Sequence, residues 1–341
     1  MENSLSSLLN NVLECYLVGA KKPVQANPTV SGERFRDHVY ELIETHLPLN
    51  EQLLVSQCFE ISEQGLLAAR KGDLTAAESF LRGAELFLHT KQLSRESFLL
   101  GDSFFEAASA YFDYRRKDFD AAITCVHKAL SNDLILEGEY GYAILHLHRI
   151  QLVHNLMRID IRRTFIKEAL NTGFFLLDYM EGKSATLSAL TFWDSSCLIA
   201  LPSELVNTMF LQITMEIALA LAGNEALSTQ VLFAGAQSHT QPGVADSCLL
   251  SPQSHAWLKA KQALIADDLE GFFEEAAKSL SDGPGNASWL WYAFVADLFS
   301  LCRKLDLPEA HLIRRSIARD ARLWKGIPAS WRLLFGSVEL A

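Results

Sequence analysis

Three histidines on one segment are the residues whose type best suits chemistry. His146, His148 and His154 lie in an apolar stretch that we expect to be helical, with Glu139 upstream. His146 and His154 are eight residues apart. At a rise of about 1.5 Å per residue, that spacing separates them by about 12 Å along a helix, whereas a single metal ion needs ligands about 2 Å away. The spacing therefore predicts histidines that make hydrogen bonds or line a groove, and no metal site.

No familiar catalytic or cofactor-binding motif occurs in the sequence. It lacks G-x-G-x-x-G, the P-loop, G-x-S-x-G and H-E-x-x-H, which mark dinucleotide, phosphate, serine-nucleophile and zinc sites. Acidic pairs such as Glu274-Glu275 and Asp267-Asp268 are typical of solvated helix ends. We therefore expect no catalytic residue and no cofactor, although a site assembled from distant residues would leave no local motif.

Charge and cysteine content restrict the class of partner and the compartment. The chain of 341 residues has a formal net charge of −11, whereas binding of nucleic-acid phosphates depends on clustered Lys and Arg. Its six cysteines are far apart and include no C-x-x-C pair, as expected of reduced thiols. The N-terminus lacks the basic residues of a secretory signal, and no uninterrupted apolar run reaches ~18 residues. These features predict a cytoplasmic protein with no nucleic-acid partner and no membrane span.

Apolar residues at intervals of three and four predict helices along almost the whole chain and no strands. Two N-terminal helices, at residues 3–18 and 34–46, flank a linker that contains two prolines and two glycines. The later helices are predicted at residues 50–71, 74–90, 95–116, 119–131, 137–158, 161–180, 203–222, 225–237, 252–266, 269–281, 287–304 and 308–323. We expect a long loop at residues 238–251 and a C-terminal tail whose Trp331, Leu333, Leu334 and Phe335 cover the end of the array.

Two predicted helical hairpins repeat one pattern, 45 residues apart. A tight turn is followed at helical spacing by a small residue, a large one and another small one, which lets a neighbouring helix approach closely. The matched positions are Gly72-Asp73, Ala77, Leu81 and Ala84 in the first hairpin and Lys117-Asp118, Ala122, Val126 and Ala129 in the second. A further copy is expected at Ser228, Leu232 and Gly235.

Residues 65–130 resemble the tetratricopeptide (TPR) family. Gly65 matches the small residue of the family's first helix, Gly72-Asp73 the turn, and Ala77 and Ala84 the small residues of the second helix. The spacing of 45 residues is longer than the family's period of about 34. The resemblance implies an all-α fold, a TPR-like right-handed solenoid of helical hairpins with N-terminal helices and a C-terminal cap. Another kind of helical-hairpin solenoid is the alternative.

The resemblance also implies a domain plan and a partner-binding groove. N-terminal helices and linker would occupy residues 1–48, TPR-like hairpins 49–182, and further hairpins with the cap 183–341, as one continuous solenoid. Its concave face would carry aromatic residues and arginines, which dominate binding energy at interfaces. The residues expected to contact a partner are Phe59, Leu66, Arg70, Phe104, Tyr111, Tyr114, Arg115, Gln151, His154 and Asn155. The alternative is that the aromatic residues form the core between helical layers.

Three functions are compatible with these features. The first is a non-catalytic cytoplasmic adaptor, scaffold or chaperone that binds a partner protein or peptide in the groove. The second is a regulatory protein that responds to a peptide or small ligand. The third is a helical enzyme or a subunit of a pathway, whose site would be assembled from distant residues. The sequence does not identify the partner or the oligomeric state.

Overall fold

A computed structural model describes residues 2–24, 30–183, 193, 195–224, 226–238, 251–285 and 287–336. These residues contain fifteen α-helices, one 3-10 helix and no strand, which confirms the all-α prediction. The helices are α1 (Glu2–Gly19), α2 (Val30–His46), α3 (Leu49–Lys71), α4 (Leu74–Thr90), α5 (Arg95–Arg116), α6 (Phe119–Tyr140), α7 (Leu145–Arg162), α8 (Ile166–Met180), the 3-10 helix (Ser195–Ala200), α9 (Ser203–Leu221), α10 (Leu227–Ser238), α11 (Pro252–Ile265), α12 (Leu269–Asp282), α13 (Ser288–Cys302), α14 (Pro308–Ala321) and α15 (Ala329–Gly336). Most of the predicted loop at residues 238–251, with Cys248, lies outside the described residues.

The chain divides into two compact units. Unit 1 comprises Met1–Pro28, Leu177–Ala185 and Phe210–Ala341, and unit 2 comprises Thr29–Leu176 and Thr186–Met209. Helix α1 therefore belongs with the C-terminal helices, whereas α2 belongs with α3 to α7. The division of the chain at residues 48 and 182 and the continuous solenoid stay predictions.

The same tight turn ends α3, α5, α7 and α11. In each turn one residue takes the left-handed conformation, with φ between 59° and 87°, and the next N–H donates to a carbonyl five residues earlier, as in a Schellman motif. The left-handed residues are Gly72, Lys117, Thr164 and Asp267. After three of these turns the side chain of Asp73, Asp118 or Asp268 caps the following helix. The helix breaks predicted at Gly72-Asp73 and Lys117-Asp118 are thus confirmed, and Asp268 proves to be a cap.

Small residues set the approach of neighbouring helices in unit 2. A Cβ atom added to Gly65 would lie 2.9 Å from Leu81 Cγ, so glycine is needed where α3 crosses α4. Ala77 and Ala122 are fully buried, as the repeat pattern predicts. In α10, by contrast, Gly235 is exposed and Phe233 is buried. The copy predicted at Ser228, Leu232 and Gly235 is therefore wrong, because burial of the larger apolar ring sets the orientation of α10.

The boundary between α6 and α7 lies later in the chain than predicted. Helices were expected at residues 119–131 and 137–158, but α6 continues through the polar run Ser131-Asn132-Asp133 to Tyr140, and α7 begins at Leu145. The helix continues because Asp133 is completely buried and accepts hydrogen bonds from Ser103 Oγ and His148 Nδ1. Tertiary partners for the carboxylate thus outweigh its low helix propensity.

The N-terminal and C-terminal helices pack together in unit 1. A Cβ atom on Gly19 would lie 1.7 Å from Leu280 O, so α1 meets α12 at direct backbone contact. Tyr16 stacks on Trp291 and donates to Asp320 Oδ2 at 2.9 Å. Near the C-terminus, Trp331 is buried and its Nε1–H donates to Ala222 O. Trp331 and Phe335 therefore form part of the apolar core, whereas Leu333, which was also expected to be covered, is exposed. That the tail caps a repeat array stays a prediction.

One described helix, α9, is long and apolar enough to cross a membrane by length and composition. Half of its apolar window is buried within the protein. Buried core helices have the same composition, so this helix is weak evidence for a membrane span.

Candidate functional site

A surface rich in tyrosine and arginine lies at the C-terminal ends of α3, α5 and α7 in unit 2, and we name it the Tyr–Arg surface. Its members are Arg70, Tyr111, Tyr114, Arg115, Asn155, Arg158 and Arg162. The tight turns that end these helices position the arginines of this surface. Each arginine lies in the last turn of α3, α5 or α7, or one turn before it.

Helices α3 and α5 contribute a connected group of three side chains. The Arg115 guanidinium donates to Arg70 O at 3.1 Å and to the Tyr111 hydroxyl at 3.4 Å. The Arg70 guanidinium lies 5.8 Å above the Tyr111 ring, within the range of a cation–π contact. The two cations are therefore held by an aromatic ring and a backbone carbonyl.

Helices α5 and α7 meet at the second tyrosine. The Tyr114 hydroxyl accepts a hydrogen bond of 2.9 Å from Arg162 Nε, and the two tyrosine ring centres are 6.0 Å apart. A small indentation of about 20 Å³ opens beside them, with Asn155 and Arg158 also on its wall. That volume holds about one water molecule or one methyl group, so the indentation suits the tip of a single side chain.

The charge of the Tyr–Arg surface differs from that of the chain as a whole. Among the described residues, neither Arg70 nor Arg115 makes an ion pair with a carboxylate. Arg70 is exposed, and Arg115, Tyr111 and Tyr114 are half-buried. A protein with a net charge of −11 thus presents unneutralised guanidinium groups on aromatic rings at this place. Such a surface can bind an anionic or amphipathic ligand.

The other residues expected to contact a partner are less accessible. Phe59 and Phe104 are buried and pack edge to face, with ring centres 4.9 Å apart, so they belong to the core of unit 2. Leu66 and Gln151 are half-buried. For Phe59 and Phe104 the structure thus agrees with the alternative in which the aromatic residues form core. His154, which was expected in the groove, is buried as well.

Burial also determines the protonation state of His154. Its Nε2 has no hydrogen-bond partner in the described part of the chain. Desolvation, assisted by the nearby Arg158 cation, lowers the pKa of His154 to about 3. The ring is therefore neutral at physiological pH, and it lies in the apolar interior and not in a groove.

The other two histidines make buried hydrogen bonds. His148 Nδ1 lies 2.7 Å from Asp133 Oδ2, and His146 Nδ1 lies 2.8 Å from Glu137 Oε1. Glu139, the carboxylate that the sequence placed near them, instead pairs with Arg95. The prediction of hydrogen-bonded histidines is confirmed for these two. Glu137 was missed, since its position relative to His146 depends on how α6 and α7 cross.

Glu137, His146 and Cys197 bring three possible metal-ligand atoms within 4.8 Å of one another. Carboxylate, imidazole and thiolate can all bind zinc. Here, however, Arg149 Nη1 already pairs with Glu137 Oε2 at 2.7 Å. Burial opposes ionisation of Glu137, but the hydrogen bonds from His146 and Arg149 hold its pKa below the ordinary value. The Glu137 carboxylate is thus already paired with the Arg149 cation. The cluster is therefore a satisfied hydrogen-bond network and a poor fit for a metal ion.

Comparison with known proteins adds no relative. No family model matches the chain, and neither a curated protein nor a solved structure matches it.

Proposed function

We propose that this chain is a non-catalytic adaptor or scaffold, which binds an acidic segment of a partner protein on the Tyr–Arg surface. The observation that carries the proposal is the position of Arg70 and Arg115: both guanidinium groups lie against Tyr111, and neither has a carboxylate partner in the described residues. Arginine and tyrosine together supply charge-assisted hydrogen bonds and rigid apolar area, the combination that dominates interface energetics.

The proposed partner segment has a defined chemistry. Arg70 and Arg115 bind an aspartate, a glutamate or a C-terminal carboxylate of the partner, because a guanidinium binds a carboxylate through two parallel N–H donors. An apolar side chain next to that carboxylate packs against the tyrosine rings and into the small indentation. The segment is therefore a short acidic peptide with an interspersed aliphatic or aromatic residue. Nucleic acid is the less suitable partner because the net charge is −11.

The proposal includes a TPR-like arrangement, with α3, α5 and α7 as the first helices of successive hairpins. The recurring turn at Gly72, Lys117 and Thr164 supports it. So does the position of the Tyr–Arg surface, whose residues come from these three helices and not from α4. A cytoplasmic location also belongs to the proposal, and it is supported by Cys15, Cys58, Cys125 and Cys302, which form no disulfide within the described residues.

A peptide display experiment tests the function. The full chain would be immobilised and a random peptide library selected on it, with parallel selections on two variants. We expect acidic peptides with apolar residues to be enriched on the natural chain and lost on the double variant Arg70→Glu, Arg115→Glu. The control is Arg82→Glu, which makes the same type of charge reversal at a single exposed position of α4, half of the charge change in the double variant.

Three outcomes would count against the function. They are enrichment of basic or uncharged peptides, enrichment that survives on the double variant, and equal loss on the Arg82→Glu control. The third would show a general effect of net charge and not a defined surface. Because Arg70 and Arg82 are both exposed, their replacement leaves the core untouched, and circular dichroism of each variant verifies the fold.

A further inference from the structure

Unit 1 contains a cavity of about 290 Å³ between α10, α11, α12 and α13. Two charged side chains on its wall, Lys261 of α11 and Asp297 of α13, are almost completely buried, with exposures of 5% and 3%. Pockets for drug-sized ligands occupy about 300 to 1,000 Å³. A cavity at the lower end of that range suits a molecule of the size of an amino acid or a dipeptide.

The buried pair has hydrogen-bonding capacity to spare. Lys261 Nζ donates to Asp297 Oδ1 at 2.6 Å and to Leu221 O at 3.3 Å. An ammonium group has three donors, so one N–H is left. Asp297 Oδ1 also accepts from Gly223 N at 2.9 Å, while Oδ2 accepts no hydrogen bond within the described residues. The wall therefore offers one cationic donor and one anionic acceptor close together.

The remaining lining supplies both polar and apolar side chains. Asn224, Gln230 and Ser300 add amide and hydroxyl groups, and the exposed Asp267 and Lys304 add one charge of each sign. The apolar part of the wall includes Leu264 and Leu269. A matching ligand carries an anionic group, a donor group and an aliphatic body.

An ion pair at this depth needs a reason, since a buried pair is in general no more stabilising than well-packed apolar residues of similar volume. One reason is local: Lys261 and Asp297 hold the end of α9 through Leu221 O and Gly223 N. That role does not require a cavity beside the pair. The cavity and the spare hydrogen-bonding capacity point to a second role, the binding of a ligand.

We propose that this cavity binds a small zwitterion with an aliphatic side chain, namely a free amino acid or dipeptide. Its carboxylate accepts a hydrogen bond from Lys261 Nζ and its ammonium group donates to Asp297 Oδ2, while the aliphatic side chain packs on Leu264 and Leu269. The site is independent of the Tyr–Arg surface and of any protein partner. It gives the chain a small-molecule ligand in addition to its proposed partner.

Calorimetry and thermal unfolding of the full chain test the proposal, with L-leucine and leucyl-leucine as probes. We expect at least one of the two to bind and to raise Tm, because a ligand that binds only the folded state stabilises it. For the probe that binds, we expect the analogue with an amidated carboxylate and the analogue with an acetylated amine to bind at least about tenfold more weakly, since each leaves one buried charge without its ligand partner.

Variants separate binding in the cavity from a local structural role of the ion pair. Leu264→Trp fills the apolar part, and it should abolish binding while the protein remains folded. The double variant Lys261→Met, Asp297→Leu removes both charges without leaving one unpaired, and it should also abolish binding. The control is Lys259→Gln, an exposed lysine on the same helix, which should bind as tightly as the natural chain.

The proposal is overturned if neither probe binds the natural chain. It is likewise overturned if the blocked analogues bind as well as the parent compound, or if binding survives both in Leu264→Trp and in the double variant. If only one of these two variants folds, that variant alone decides the outcome.

Discussion

The buried carboxylate of Asp133 should be one of the main determinants of stability in unit 2. Asp133 has no exposed surface, and it accepts a hydrogen bond of 2.5 Å from Ser103 Oγ and one of 2.7 Å from His148 Nδ1. The change Asp133→Leu keeps the number and branching of the side-chain heavy atoms but leaves the hydroxyl and the ring nitrogen buried without an acceptor. Each such group costs about 1–3 kcal/mol. We therefore expect the free energy of unfolding to fall by about 3–5 kcal/mol, the loss typical when one partner of a buried pair is removed.

Urea unfolding followed by circular dichroism would measure this loss. The triple variant Asp133→Leu, Ser103→Ala, His148→Leu removes the stranded polar groups together with the carboxylate, and it should recover at least half of the lost stability. Ser131→Ala changes an exposed residue of the same polar run, so it should alter stability by less than about 0.5 kcal/mol. The reasoning is refuted if Asp133→Leu costs less than about 1 kcal/mol, or if the triple variant is no more stable than the single one.

Three further predictions concern packing and pH. Gly65→Ala should destabilise the protein by about 1–3 kcal/mol because its new Cβ would lie 2.9 Å from Leu81, whereas Gly83→Ala, on the exposed side of α4 with no atom closer than 3.9 Å, should stabilise it by about 0.5–1 kcal/mol. Chemical unfolding of both variants measures these changes, and the opposite order of stability would refute the prediction. Ala122→Leu should cost about 1–3 kcal/mol by overpacking, and an unchanged Tm would show that this position is not packed against a neighbouring helix. His154 has a pKa of about 3 in the folded protein against 6.5 for the free side chain, so only the unfolded state gains a proton as the pH falls below about 6.5, and the free energy of unfolding should fall by up to about 1.4 kcal/mol per pH unit down to about pH 3. The variant His154→Leu should lack this part of the pH dependence, and identical slopes of unfolding free energy against pH for the two proteins between pH 6 and 4.5 would contradict the burial of a neutral ring.

Local signals predicted the hairpins well. Helices α3, α4 and α5 have the predicted boundaries within a residue, because turn residues and caps such as Gly72 and Asp73 act through neighbours in the sequence. The boundary at the end of α6 was missed, since Asp133 resembles a helix breaker until its partners Ser103 and His148 are known. Which aromatic residues are core was also beyond the sequence. Phe104 and Tyr111 lie on the same helix, and only the positions of neighbouring helices distinguish a buried ring from a surface one.

Sites formed by residues that are distant in the sequence could not be predicted, because they leave no local sequence pattern. Lys261 and Asp297 are on different helices, and their pairing depends on how α11 packs against α13. The one local sign was Asp297 itself, the single charged residue of the otherwise apolar helix α13. Arg158 was missed because the family pattern matches only residues 65–130, so the groove positions on α7 were extrapolated from it, to Gln151, His154 and Asn155. The association of α1 with α12 through Gly19 could not be predicted either, because a glycine at a helix end usually serves as a cap.

A charge-swap binding experiment tests the central claim most directly. A peptide selected by the natural chain would be synthesised in its acidic form and with each acidic residue changed to lysine, and Kd would be measured for both peptides with the natural chain and with the variant Arg70→Glu, Arg115→Glu. If these arginines contact the acidic residues, the acidic peptide should bind the variant at least about tenfold more weakly than the natural chain, and the lysine peptide should prefer the variant. Loss of the acidic peptide without any gain for the lysine peptide, or equal affinity of the acidic peptide for both proteins, would contradict the claim that the Tyr–Arg surface binds an acidic partner segment.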